Sequence, residues 1–68
     1  MIDVGAVCRS SEPIIKTAGE DDGRICRVVA PVPPERWRQA DVPEYKVELL
    51  TMAVTAFRRE ADLQIITC

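Results

Sequence analysis

Apolar and polar residues alternate at the beginning of the chain, as they do in a strand with one buried face. Residues 2–8 place isoleucine, valine, alanine and cysteine on one side and polar or small residues on the other. Residues 14–18 form a second short apolar run, and residues 24–30 alternate again. Glycines bracket an acidic run at residues 19–23, which is typical of a turn. We therefore expect three strands, the second and third of them joined as a hairpin.

Further along, the apolar residues of segment 41–61 recur at helical spacing. At about 100° per residue, one stripe consists of Val47, Leu50, Val54, Phe57 and Ala61. A second stripe beside it consists of Tyr45, Leu49, Met52, Ala53 and Ala56. Asp41 as N-cap and Glu44 three residues later are typical of a helix start. The segment is therefore predicted to form one long helix that ends at Asp62.

The remaining segments complete a predicted order of β-β-β-α-β. Residues 31–34 contain three prolines and favour an extended connector, with one or two helical turns at residues 35–40. Residues 63–67 are β-branched enough to form a last strand. The prediction is an α+β fold and a single domain over residues 1–68. Its sheet is antiparallel or mixed, has three to four strands, and carries the long helix across one face.

The predicted helix carries more apolar surface than one contact can bury. Its two stripes cover an arc of roughly 200°, where an amphipathic surface helix needs only about 100°. If the first stripe packs on the sheet, the second is covered either by residues 31–40 or by a partner. In the latter case the second stripe is a homodimer seam or a groove for a larger protein, because monomers rarely expose so large a patch.

Arg36, Trp37 and Arg38 form the only locally basic region, with Arg24 and Arg27 in the preceding strand. Tryptophan and arginine are enriched at interface hot spots, and tryptophan can also stack on a nucleic-acid base. Trp37 is therefore expected either to pack on the sheet or to contact a partner. A nucleic-acid-binding regulator that uses these five residues is the alternative function. The formal net charge of −2 argues against it.

The chain lacks the residues on which most catalytic and metal sites depend. Histidine is absent, and the cysteines at positions 8, 26 and 68 are far apart with no CxxC spacing. The acidic residues at 20–22 lack the spacing of a calcium loop. We predict no enzymatic activity, no cofactor and no metal, and a cytoplasmic protein without a membrane span. Cys68 is the cysteine expected to be exposed.

These observations favour a small non-catalytic protein-binding module or inhibitor that occupies a surface of a larger protein and self-associates as a homodimer. Small inhibitors that phages use against host defence systems are similar in size and charge, a comparison by class alone. The predicted partner-binding residues are Tyr45, Leu49, Met52, Ala53, Ala56, Arg36, Trp37 and Arg38.

Overall fold

The computed structural model describes residues 2–67, and its main feature is an antiparallel sheet of five strands. The strands are β1 (Val7–Ser10), β2 (Ile25–Pro31), β3 (Glu44–Leu49), β4 (Thr55–Arg59) and β5 (Leu63–Thr67). Two short 3₁₀ turns, Pro34–Arg36 and Glu60–Asp62, lie between strands. We refer to residues 11–24 as the first loop and to residues 32–43 as the connector.

The strand order shows that the sheet is curled. It runs β4-β3-β2-β1-β5, so β4 and β5 lie at opposite edges although they are neighbours in the chain. In a flat sheet these edges would lie about 19 Å apart, four strand spacings. The turn Glu60–Asp62 links them with three residues, and a 3₁₀ turn advances only about 2 Å per residue. The sheet must therefore bend, which gives it a concave inner face and a convex outer face.

The strand register places the core on the inner face. Cys8 lies opposite Cys26, Cys26 lies opposite Leu49, and Val28 lies opposite Val47. All five side chains are at most 3% exposed. Because residues that face each other across an antiparallel pair project from the same side of the sheet, these strands bury one continuous apolar layer.

The predicted long helix is wrong, because residues 41–61 contain β3, a turn and β4 instead. Tyr45, Val47 and Leu49 are buried, and they alternate with Lys46 and Glu48, which are not. This spacing of two gives β3 one buried face, which pairs with the buried face of β2. Apart from the two 3₁₀ turns, residues 2–67 contain no helix. The predicted α+β fold of order β-β-β-α-β is therefore corrected to a five-stranded antiparallel sheet.

The other predicted elements differ in accuracy. The last strand is confirmed as Leu63–Thr67, a strand over 24–30 occurs as Ile25–Pro31, and a turn after Pro33 occurs as Pro34–Arg36. The first strand begins later than predicted, at Val7.

Residues 14–18 form no strand and belong to the first loop. The Ile14 N–H donates to the Gly23 carbonyl at 2.7 Å, and a side chain at position 23 would collide with the carbonyl of Ile15. The predicted hairpin is therefore replaced by the pairing of β1 with β2 across this loop.

Candidate binding groove on the outer face

Two residues of the predicted partner stripe lie in the core. Tyr45 and Leu49 are each 3% exposed. The Tyr45 hydroxyl accepts the Ile2 N–H at 3.0 Å and donates to Glu60 Oε2 at 2.9 Å. Burial raises the pKa of Tyr45, and the hydrogen bond with Glu60 raises this pKa further. Their positions stabilise the fold and leave little surface for a partner.

The other three residues of that stripe do not form one surface. Met52 lies half-buried in the turn between β3 and β4 and packs against the core, while Ala53 beside it is exposed. Ala56 lies half-buried on the inner face, opposite Val47. A partner contact at Met52 or Ala53 stays a prediction, but the continuous helical seam does not exist.

The connector carries Arg36, Trp37 and Arg38. Trp37 is half-buried, and its indole N–H donates to the Val32 carbonyl at 2.8 Å, so the ring packs back onto the connector. The Arg38 backbone N–H donates to Glu44 Oε2 at 2.6 Å, and its Nε lies 3.7 Å from Glu44 Oε1. Arg36 is exposed at the end of the first 3₁₀ turn. These contacts fix the connector against the start of β3.

A groove of about 330 Å³ lies between this connector and the outer face of the sheet. Its floor follows the register across three strands, where Ala30 lies opposite Lys46 and Lys46 lies opposite Phe57. Phe57 is 53% exposed there. We call this the outer groove; it is lined by Ala30, Pro31, Val32, Pro33, Arg36, Arg38, Glu44, Lys46 and Phe57.

The outer groove has the side chains of Ala30, Lys46 and Phe57 on its floor and Arg36 on the connector side, so its surface is partly apolar and partly positively charged. Glu44 is only 4% exposed and has its charge balanced by Arg38. Arg36 and Lys46 form no ion pair within residues 2–67. The groove therefore presents two uncompensated cations beside an exposed aromatic ring, an arrangement suited to an apolar group with a nearby anion.

The opposite face of β4 carries a second basic residue. Arg58 lies opposite Tyr45 and so projects to the inner side. It also borders a polar cavity of about 280 Å³ that is lined by Glu12, Arg38, Arg59 and Asp62 as well. Asp62 is already paired with Arg59, at 3.0 Å from its Nε. The buried Nε of Arg58 has no hydrogen-bond partner in the described part of the chain. Phe57 and Arg58 thus project to opposite sides of β4.

The residues of the predicted nucleic-acid site are not brought together. The Arg24 guanidinium donates to the carbonyls of Ser10 and Ser11, which places it on the first loop. Arg27 is exposed on the outer face opposite Glu48. Arg24 precedes the seven-residue strand β2, which separates it from the connector by about 23 Å. These arginines do not form one patch with Arg36 and Arg38.

Phe57 and Lys46 are the exposed residues of the groove floor that the sequence analysis does not identify as a site. The helical pattern places Phe57 in the stripe that packs on the protein's own sheet and predicts no role for Lys46. The alternation of residues 44–49 was the available signal, because it places Lys46 on the face opposite Tyr45 and Val47.

Comparisons with protein-family models, with curated proteins and with solved structures found no match. Within residues 2–67 no three cysteine or acidic side chains group in a way that would hold a metal ion, and no helix is long and apolar enough to cross a membrane. Cys68 lies outside the described residues. The candidate site is therefore the outer groove with the adjoining strand β4.

Proposed function

We propose that the protein is a small non-catalytic protein-binding module that holds a segment of a larger protein in the outer groove. The observation that carries this proposal is the exposed ring of Phe57 on the groove floor, beside Arg36 and Lys46, which form no ion pair within residues 2–67. An isolated exposed aromatic residue needs no explanation, but one at the floor of a groove offers a partner an anchoring position.

Burial of Phe57 would provide a useful part of the binding free energy. A phenylalanine side chain can bury about 200 Å², and about half of this area is still exposed at Phe57. Covering about 100 Å² of apolar surface contributes about 2.5 kcal/mol. This is less than the cost of association, so the partner must also contact the rim and the neighbouring backbone.

A single-stranded nucleic acid is the second candidate. One observation favours it, since a base can stack on Phe57 while phosphates contact Arg36 and Lys46. However, affinity for phosphate grows with the number of neutralised charges, and Arg27 on the outer face lies opposite Glu48. We therefore favour a protein partner. An inhibitory role against host defence and a cytoplasmic location stay predictions.

Self-association also stays a prediction, but its structural basis changes. The helical seam on which it depended is absent. The uncharged strand β5 has two large exposed side chains, Ile65 and Ile66, and lies at an edge of the sheet. This edge is the best remaining place for contact between two copies.

Site-specific photo-crosslinking in the cells that produce the protein tests the proposed function. A benzophenone amino acid replaces Phe57 in one variant and the exposed first-loop residue Thr17 in a matched control. We expect a discrete protein adduct from position 57, none from position 17, and a weaker adduct when Lys46→Glu is added. Equal labelling from both positions, or no adduct from position 57, contradicts the proposal. An adduct removed by nuclease indicates the nucleic-acid alternative.

A further inference from the structure

We infer that the partner segment binds as an added strand along the open edge of β4, and that this segment is acidic, with an apolar residue next to a carboxylate. The inference rests on the proposed function and deepens it, because it specifies the backbone contact and the chemical class of the partner. Three features of β4 support it: the direction of its peptide groups, the different character of its two sides, and its charge.

The register determines which peptide groups of β4 are available. The Leu49 N–H donates to the Val54 carbonyl at 3.0 Å, so the peptide groups of every second residue from 54 onward point toward β3. Those of Thr55, Phe57 and Arg59 therefore point away from it. No strand pairs with this side of β4 within residues 2–67. An edge of this kind is a template for another strand.

One of these outward-pointing peptide groups already forms a hydrogen bond. The Phe57 carbonyl accepts a hydrogen bond from Arg58 Nη1 at 2.9 Å. A carbonyl oxygen has two lone pairs, so it can accept a second bond from an incoming strand. The N–H groups of Thr55, Phe57 and Arg59 form no hydrogen bond within the described residues.

The two sides of β4 select alternating side chains in the partner. On the outer side, a residue opposite Phe57 meets the exposed ring of Phe57 on the floor of the outer groove. On the inner side, a residue opposite Arg58 meets the Arg58 side chain, which borders the polar cavity described above. Because successive side chains of a strand project to opposite sides, an apolar residue and its chain neighbour occupy these two places at once.

The positive charge along the edge of β4 determines which polar residue of the partner is favoured opposite Arg58. Arg58 forms no ion pair within residues 2–67, whereas Arg59 is paired with Asp62. Arg36 and Lys46 add positive charge on the outer side. A carboxylate opposite Arg58 is therefore favoured and a cation is repelled. A second copy of β4 fits less well, since antiparallel self-pairing would bring four arginines onto two adjacent strands.

Binding of two synthetic peptides to the full chain tests the inference. Both peptides have seven residues; one alternates valine with aspartate, and the control alternates valine with lysine. When each peptide is titrated into the protein and binding is followed in ¹⁵N spectra, we expect the aspartate peptide to bind at least tenfold more tightly than the lysine peptide. It should also slow hydrogen exchange of the Thr55, Phe57 and Arg59 amides about tenfold, because these amides enter a hydrogen-bonded ladder.

Two substitutions separate strand addition from simple docking in the groove. Thr55→Pro removes one outward N–H without breaking the bonds to β3, and proline is tolerated on an edge strand in this orientation. We expect it to weaken binding of the aspartate peptide at least tenfold, while Thr55→Ala changes binding less than about twofold. If Thr55→Pro does not fold, Arg58→Glu serves instead, and it should reverse the preference to the lysine peptide.

The outcomes are distinguishable from failure of the proposed function. Equal affinity for both peptides, or no binding of the aspartate peptide, overturns the inference even if crosslinking at position 57 captures a protein. Binding that shifts groove resonances but leaves exchange at Thr55, Phe57 and Arg59 unchanged also overturns it. In that case the groove binds a partner without strand addition, and the proposed function stands.

Discussion

Tyr45→Phe removes a single oxygen atom from the core and breaks two hydrogen bonds that join separate parts of the chain. The Tyr45 hydroxyl accepts the Ile2 N–H at 3.0 Å and donates to Glu60 Oε2 at 2.9 Å. It therefore connects the N-terminal segment and the turn before β5 to strand β3. The side chain is 3% exposed, so water cannot easily replace the lost partner.

The expected loss of stability is about 2 kcal/mol. A buried donor left without a partner costs about 1–3 kcal/mol, and the Ile2 N–H becomes such a donor. Unfolding entropy near the midpoint is about 2.1 cal/mol/K per residue. For a chain of 68 residues, a loss of about 2 kcal/mol then lowers Tm by about 10–15 °C.

Thermal unfolding followed by circular dichroism measures this change, with Phe57→Leu as the exposed control that should shift Tm by less than about 4 °C. The photo-crosslink from position 57 should survive in Tyr45→Phe at a temperature where the variant is folded. A fully stable Tyr45→Phe protein would refute the buried hydroxyl network. A stable protein that no longer yields the crosslink would instead support Tyr45 as a partner contact, as first predicted.

Three further predictions concern other parts of the molecule. Burial raises the pKa of the Cys26 thiol from 9.0 to about 11. As pH rises, the unfolded chain loses this proton before the folded chain does, so the stabilising contribution is full below pH 9.0 and is lost as pH rises toward 11. Urea unfolding should show a smaller fall in the free energy of unfolding over this range in Cys26→Ala. Glu44→Ala removes the carboxylate that accepts the Arg38 N–H at 2.6 Å, and it should lower the free energy of unfolding by about 1–2 kcal/mol. The Arg38 amide should then exchange faster with solvent. Unchanged exchange of this amide would contradict the anchoring of the connector by Glu44. Sedimentation velocity should show a concentration-dependent dimer that Ile66→Lys removes; a monomer at the highest soluble concentration would disprove self-association.

Local sequence is sufficient to predict a strand where the residue pattern is compatible with only one type of secondary structure. Leu63–Thr67 is β-branched and short, and it occurs where predicted. Segment 41–61 fits two structures. Tyr45 and Leu49 belong both to a helical stripe and to the alternating pattern of a strand, and residues 50–54 contain no glycine, proline, asparagine or aspartate to indicate a turn. The choice depends on pairing with β2, a contact between distant parts of the chain that periodicity alone does not contain.

The same error in secondary structure concealed part of the candidate site. Lys46 and Phe57 would lie about 16 Å apart along a helix, whereas in the hairpin they face each other. The basic residues of the connector did not depend on the helix, so Arg36 and Arg38 were identified and do line the groove. Local composition is thus sufficient to identify Arg36 and Arg38, whereas Lys46 and Phe57 can be identified only from the pairing of β3 with β4.

The net charge of −2 does not describe the charge near β4, because it sums over the whole surface. Much of the negative charge lies on the first loop, where Glu20 and Asp21 already pair with Arg9. A bound segment responds mainly to charges within about 8 Å at physiological salt, and in the outer groove the side chains that form no ion pair within residues 2–67, Arg36 and Lys46, are cations. An acidic partner is therefore compatible with an acidic protein. We expect its affinity to weaken as salt is added, because local cations attract it, while long-range attraction contributes little to the association rate. Affinity that does not change with salt would show that Phe57 and the backbone bind the segment without help from these cations.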